Sequence, residues 1–368
     1  MVLAGQIGQN GVCLTLAMKI EGDHKKLVMD WVRKSIQVHQ GKGSAAFYDL
    51  LSGWSGPYPE TTGYLLPTLW NVGMEKEAHS CAQWLLSLQQ EDGSFPGGVG
   101  KEKHRPPLVF DTGMILLGLI KMLRYTNDQK YREAIEKCSV WLLAQMGEDG
   151  VFSAHTYVKF YSPSYHTRVL WALLEMKQML TDKAFHTLKQ SFSAYQAKIQ
   201  AKHAVLHWGF RPNEAALTHT IAYTYRGLLE SEQLLDEEGH VLRVVEKVLK
   251  KLYQLKIEKG KLASSFDLEW NGSYGFRCLV GEVQLACLAF RVYQINHQIF
   301  FRVIAEQFLA AVTKAIWKWP SFAKGGISGA QPIWGAYQRF RWINWGAKFY
   351  LDACVLREEC LSKDNQLA

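Results

Sequence analysis

The chain has 368 residues, of which 48% are hydrophobic and 21% charged. That balance excludes a disordered tail and supplies a large buried core. The formal charge is +8 with no run of five or six basic residues, so small anions and acidic glycans are the expected partners and nucleic acid is not. Seven scattered cysteines with no CxxC point to reduced thiols and a cytoplasmic protein rather than a disulfide framework.

Residues 1–23 read as an N-terminal extension. Their apolar stretch is interrupted by Gln, Asn and Gly and has no basic leader, so no secretory signal is expected. No window of 18 apolar residues occurs, so no membrane span is expected either. Helical periodicity then predicts twelve helices, at 27–39, 62–74, 77–90, 111–125, 129–146, 164–180, 184–199, 215–235, 238–256, 279–296, 299–318 and 341–357. "WLLSLQQEDGSF", from Trp84, returns as "WLLAQMGEDGVF", from Trp141, 57 residues later. The period is therefore a pair of helices with their loops. Even-numbered helices such as "TGMILLGLI" are apolar nearly all round, and odd ones such as "HVLRVVEKVLKKLY" carry one apolar stripe. The first kind is buried and the second lies at a surface. The expected fold is all-α, an (α/α)6 toroid of six inner and six outer helices. No Pro/Gly/Ser-rich linker divides it, so 24–368 reads as a single barrel domain.

The six inner-helix starts face one central funnel. Aligned, they read "PETTGYLL", "VFDTGMIL", "SYHTRVLW", "LTHTIAYT", "LVGEVQLA" and "WINWGAKF", with threonine in one column at Thr62, Thr112, Thr167 and Thr220. Helix capping and close helix packing account for the threonines. Histidine is a poor cap, so His166 and His219 beside Asp111 mark a site, with Glu60, Tyr165 and Glu282 at the same level. Carboxylates and imidazoles crowded into one buried ring have the shifted pKa values that acid–base chemistry requires. The loops entering these helices are aromatic and basic. They supply Trp54, Tyr58, Arg168, Trp208, Arg211, Tyr274, Arg277, Trp334, Tyr337, Arg341, Asn344 and Trp345 as candidate substrate contacts. Aromatic faces interleaved with Arg suit a sugar bearing carboxylates or phosphates.

The repeat "WLLSLQQEDGSF" resembles the QW-type repeat of the terpenoid cyclase and protein prenyltransferase superfamily. The cyclase DxDD acid and the DDxxD diphosphate motif are both absent. Tyr165-His166-Thr167 is similar to the zinc-binding helix start of prenyltransferases, which by resemblance implies Asp111 as a second ligand. Gly113 stands where that family's pattern wants Cys, so the set is incomplete and no cofactor is expected. Cys278 with His166, His219 and Asp111 remains a possible tetrahedral zinc site of a different kind.

The fold also resembles that of six-hairpin carbohydrate-active enzymes, which include glycosidases, polysaccharide lyases and epimerases. "YPETTGY", "GISGAQPIWGAY" and "NWGAKFYLDA" are similar to stretches in uncharacterised proteins of surface-polysaccharide metabolism. This resemblance implies an enzyme acting on an anionic sugar polymer or on a nucleotide- or lipid-linked glycan precursor. In a lyase or epimerase, Tyr165, His166 or His219 moves a proton while Arg168, Arg211 or Arg277 clamps a carboxylate. In a hydrolase, Asp111 pairs with Glu60 or Glu282. The basic balance of the chain tips the reading slightly toward proton abstraction. An isoprenoid-diphosphate enzyme and a non-catalytic glycan-binding toroid are the alternatives.

Overall fold

The computed structural model describes residues 23–367. The extension expected at 1–23 therefore lies outside the described residues except for Asp23. Twelve helices follow: α1 (23–37), α2 (Pro59–Asn71), α3 (Glu75–Leu88), α4 (Val109–Thr126), α5 (Gln129–Ala144), α6 (Thr167–Leu174), α7 (Asp182–Gln196), α8 (Thr218–Leu235), α9 (His240–Lys259), α10 (Leu279–Asn296), α11 (Ile299–Thr313) and α12 (Asn344–Leu367). The even-numbered helices touch in the order α2, α4, α6, α8, α10, α12 and back to α2. They form the closed inner ring of an (α/α)6 toroid, with the odd-numbered helices outside.

Burial follows the sequence pattern. Val109 to Ile120 of α4 are buried without interruption. The outer helix α9 buries only the stripe Val241, Val244, Val245, Val248, Leu249 and Leu252. At about 2 kcal/mol for each buried aliphatic side chain, that stripe contributes on the order of 10 kcal/mol before the entropy of ordering is subtracted. The inner helices approach so closely that glycine is required between them. A Cβ added to Gly118 would lie 2.0 Å from the Gly63 carbonyl oxygen, and one on Gly227 would lie 2.4 Å from the Thr167 carbonyl carbon. No side chain flexes out of a backbone clash.

Both copies of the quoted repeat end in the same turn. The Asp92 carboxylate accepts from Ser94 N–H at 3.0 Å and that of Asp149 from Val151 N–H at 3.2 Å. Gly93 and Gly150 between them have φ of +92° and +77°, a region that glycine enters without steric cost. The turns deliver Phe95 and Phe152, both fully buried, into the core.

The threonine column packs as expected, but it does not cap. No side-chain cap bond closes the start of α2, α4, α6 or α8. The hydroxyls instead donate to carbonyls: Thr62 to Tyr58 at 2.7 Å, Thr167 to Thr224 at 2.9 Å and Thr220 to Leu217 at 3.0 Å. They tie each inner helix to its entering loop or to its neighbour.

Several boundaries differ from the sequence pattern, among them the end of α12, at Leu367 rather than residue 357, and that of α11, at Thr313 rather than residue 318. Helix α2 starts at Pro59 rather than residue 62, because proline is well suited to a first turn where its missing N–H is not needed. The segment expected as one helix over 164–180 is a 3-10 turn, Ser164–His166, then α6, then a second 3-10 turn, Lys177–Met179. Short antiparallel strands lie on the mouth that faces the inner-helix starts. Strand β1 (Phe47–Asp49) pairs with β2 (Gly53–Trp54), and also with residues Arg341–Ile343 just before α12. This pairing joins the first and last hairpins.

Candidate active site

The N-terminal ends of the inner helices and their loops enclose a cavity of about 580 Å³. Glu60, from the first turn of α2, lines it, as do Tyr165, from the 3-10 turn before α6, and His219, from the first turn of α8. Tyr58, Arg211, Tyr337, Arg341 and Trp345 line the same space. Of the expected site residues, these eight converge.

Glu60 is 7% exposed. Burial, reinforced by the negative charge of Asp111, pushes its carboxyl up to about 8. Asp111 is fully buried in the first turn of α4 and does not touch the cavity. Its oxygens accept from the Tyr157 hydroxyl at 2.7 Å and from Gly98 N–H at 2.7 Å. Burial raises it as well, to about 6, with those two donors opposing. Two carboxyls so close together do not both ionise readily. The pair resists double ionisation near neutrality, and Glu60, the more strongly raised of the two even though Tyr58 and Tyr64 donate to it, is the member that keeps the proton. The Tyr157 hydroxyl is in turn 2.6 Å from that of Tyr58, and Tyr58 lies against Glu60. A chain of phenols therefore joins the protonated carboxyl to the ionised one.

His219 faces the cavity from α8. Its ring packs on Tyr223 at 4.4 Å between centroids and on Tyr337 at 5.7 Å. Burial lowers its pKa to about 4, against the hydrogen bond to Gln284, so it is neutral near pH 7. Nδ1 lies 2.8 Å from the Gln284 amide oxygen. With the amide in that orientation Nδ1 carries the proton and Nε2 keeps its lone pair. At the rim, Arg341 donates to Asp49 at 2.9 Å and stacks over Phe47 at 4.2 Å. The Arg211 side chain is 72% exposed and lies 3.7 Å from the carboxylate of Glu214, which lines the same cavity.

Other expected site residues lie elsewhere. His166 is wedged between Phe110 and Phe152, its Nδ1 3.3 Å from the Phe152 carbonyl, and burial lowers its pKa to about 3. It is outside the cavity because the 3-10 turn directs Tyr165 inward instead. Glu282 is bound by the Arg277 guanidinium, and neither lines the cavity. Arg168 faces the opposite end of the barrel. Asn344 is structural: its amide donates to Ser44 and Ala45 at 2.6 Å and accepts from Trp31 at 2.9 Å. Trp54 packs on Trp31 at 4.7 Å and Trp208 on Trp270 at 5.1 Å. Trp334 is 62% exposed on a separate surface groove. Tyr274 is not among the cavity residues either.

Among the described residues, no group of three or more His, Cys, Asp or Glu side chains is placed to hold a metal ion. The set of Cys278, His166, His219 and Asp111 does not assemble, and burial raises the Cys278 thiol to about 12. Sequence reasoning missed Tyr64, Phe110, Tyr157, Phe210 and Tyr223, which complete the aromatic lining. The signal available was a Tyr one turn into α2 and α8, at Tyr64 and Tyr223.

No family model and no curated protein matches the chain. Solved structures do. A heparin-specific unsaturated glucuronyl hydrolase superposes with a TM-score of 0.74 at 15% identity, covering 93% of this chain and 97% of its own. The cellobiose 2-epimerase of Bacillus thermoamylovorans gives 0.71 at 12% identity, covering 92% and 98%. A D-mannose isomerase gives 0.69 at 13%, covering 94% and 98%. At these identities the likeness is one of fold, and the chain has the six-hairpin (α/α)6 toroid fold of these proteins.

Proposed function

We propose that the protein is a carbohydrate-active enzyme that hydrolyses a glycan carrying a carboxylate, using Glu60 as general acid. One observation carries this reading. A carboxyl kept protonated near neutrality by burial and by Asp111 opens into an aromatic cavity with Arg211 and Arg341 at its edge. A protonated acid in an apolar site is what departure of a glycosidic oxygen requires. The guanidiniums suit a sugar carboxylate, and the rings suit pyranose faces.

In the proposed step the glycosidic C–O bond breaks and Glu60 gives its proton to the leaving oxygen. Water adds to the sugar carbon, and its proton passes to the lone pair of His219 Nε2. His219 then releases its proton to solvent and Glu60 takes one back from solvent, which restores the starting state; the ionised Asp111 keeps the pKa of Glu60 high enough for it to be recharged. The cavity volume of about 580 Å³ suits one or two sugar rings, within the usual range for small-ligand sites. The shared fold supports this reading through the neighbours' activities: hydrolysis of unsaturated glucuronyl groups in one and epimerisation in another. An isoprenoid substrate fits less well, because the lining mixes Glu60, His219 and two arginines with the rings.

The test is an assay with unsaturated uronyl oligosaccharides and with nucleotide- and lipid-linked uronosyl conjugates. Cleavage by the wild type and a loss of about 10²- to 10⁴-fold in Glu60→Gln are expected. Equal rates in the two proteins would overturn the assignment. A second reading, epimerisation, is favoured by the neutral His219 facing Glu60. It is recognised by deuterium uptake from D2O into an uncleaved sugar.

A further inference from the structure

The C-terminal ends of the inner helices enclose a second opening on the far side of the barrel, a funnel of about 350 Å³ leading to an inner recess of about 40 Å³. Tyr64 and Tyr223 separate it from the candidate active site, each lining a cavity on both sides. The carboxylates around the funnel are all engaged. Glu175 pairs with Lys121 at 3.3 Å and Arg124 at 2.6 Å, and Glu230 with Arg226 at 2.7 Å and Arg291 at 2.9 Å. Asp352 is taken by Lys348 and by the Thr68 hydroxyl, and Glu359 accepts from Gln294 at 2.9 Å.

Arg168 is left over. It is 3% exposed, and among the described residues its guanidinium meets the Met114 sulfur at 3.4 Å and the faces of Tyr223, Trp171 and Phe349 at 4.6, 5.1 and 5.8 Å, while the Asp352 carboxylate of the same recess acts on it only through space. Among the described residues no carboxylate pairs with it. A buried guanidinium stays charged, and leaving one without an anion is costly. The Trp171 ring also meets the Arg226 guanidinium, at 5.4 Å. Beside it in the same recess is Gln284, 4% exposed, whose buried side-chain nitrogen makes no well-formed hydrogen bond and has only the Tyr223 hydroxyl nearby. Two donors from different helices, both more than nine-tenths buried, thus face one recess. The recess has room for a small group, since a single water needs only about 10–15 Å³ measured this way.

We propose that this distal opening is a binding site for a small-molecule oxyanion. Arg168 and Gln284 grip the carboxylate or phosphate group in the recess, and the funnel holds the remainder of the molecule. The recess opens on the other side of the barrel from the proposed catalytic cavity, and although Gln284 also holds His219 Nδ1, the proposal does not depend on the reaction assigned there.

The test is thermal unfolding of the full chain in inorganic phosphate and, separately, in acetate, each against chloride at equal ionic strength. At about ten times the dissociation constant, the better-fitting anion raises the midpoint by about 2 °C. The arm with the larger shift tells phosphate from carboxylate. Arg168→Met removes the shift, and Arg341→Ala, at the other mouth, keeps it. No shift with either anion, or a shift lost in Arg341→Ala and kept in Arg168→Met, overturns the proposal. Should Arg168→Met fail to fold, wild-type crystals soaked in selenate decide: an anomalous peak beside the Arg168 guanidinium supports the site, and its absence there refutes it.

Discussion

The two mouths of the barrel handle buried charge in opposite ways. At the mouth formed by the inner-helix N-termini, Glu60 and Asp111 have no cation within ion-pair distance among the described residues, so burial raises both carboxyls. At the mouth formed by the C-termini, Glu230 is just as buried, but Arg226 and Arg291 hold it below its ordinary value. The connections explain part of the difference. At the C-terminal mouth the chain turns back within a few residues, as at Asn127 and His297, each the left-handed end of an inner helix. Charged side chains of adjacent helices are thereby brought directly opposite each other. At the N-terminal mouth, long aromatic loops intervene, and around Glu60 and Asp111 they supply phenols and a backbone N–H instead, although Glu282 at the same level is still met by Arg277. A carboxyl met by neutral donors in an apolar site keeps a proton available for transfer. One met by guanidiniums serves structure.

The largest loss of stability is expected where this contrast is broken at the structural mouth. Glu230→Ala strands two partly buried guanidiniums and should cost about 3–5 kcal/mol in urea unfolding. The wild type should lose part of that stability as pH falls below 4.5, the ordinary value from which Glu230 is depressed. A cost below about 1 kcal/mol would show that the pairs are as weak as exposed ones.

Glu60 carries the opposite sign. Its folded pKa lies above the ordinary 4.5, so its contribution to stability is present below that value and lost as pH rises toward 8. Glu60→Gln should therefore lie close to the wild type at pH 5 and exceed it at pH 9 by about 5 kcal/mol, as read by paired denaturation curves. No gain at pH 9 would mean that Glu60 ionises freely.

The comparison is sharpened by Asp111→Asn, which removes the charge that helps hold the proton on Glu60. The alkaline limb of the rate profile, expected near 8 in the wild type, should move to lower pH by about one unit, or roughly 1.4 kcal/mol. An unmoved limb would dissolve the proposed pair. Tyr157→Phe should have the smallest effect. It deletes one donor to Asp111, weakens the pair by about 1 kcal/mol and lowers turnover about fivefold. The stability half of that figure is checked by thermal unfolding.

Much of the architecture was legible in the sequence because it rests on short-range periodicity. The repeat from Trp84 and Trp141, the alternation of wholly apolar with one-sided helices and the paired Asp-Gly turns all report local conformation and burial. The site was legible only to the level of a ring. His166 and His219 occupy equivalent columns, yet one 3-10 turn before α6 shifts the angular position of its residues, turning Tyr165 into the cavity and His166 into the wall. The same helix directs Arg168 to the far mouth, where sequence reasoning had made it a clamp for the substrate. Glu282 was read as a carboxylate of the site, but Arg277, five residues earlier, captures it.

The amino-acid sequence alone therefore determined the helix pairs, their inner and outer faces and the level at which polar residues gather, since each depends on neighbours a turn or two away. Tertiary structure alone decided which member of each polar column enters the cavity and which carboxyl keeps its proton. Those outcomes turn on a fraction of a helical turn and on charges brought together from distant parts of the chain, and no local pattern encodes either.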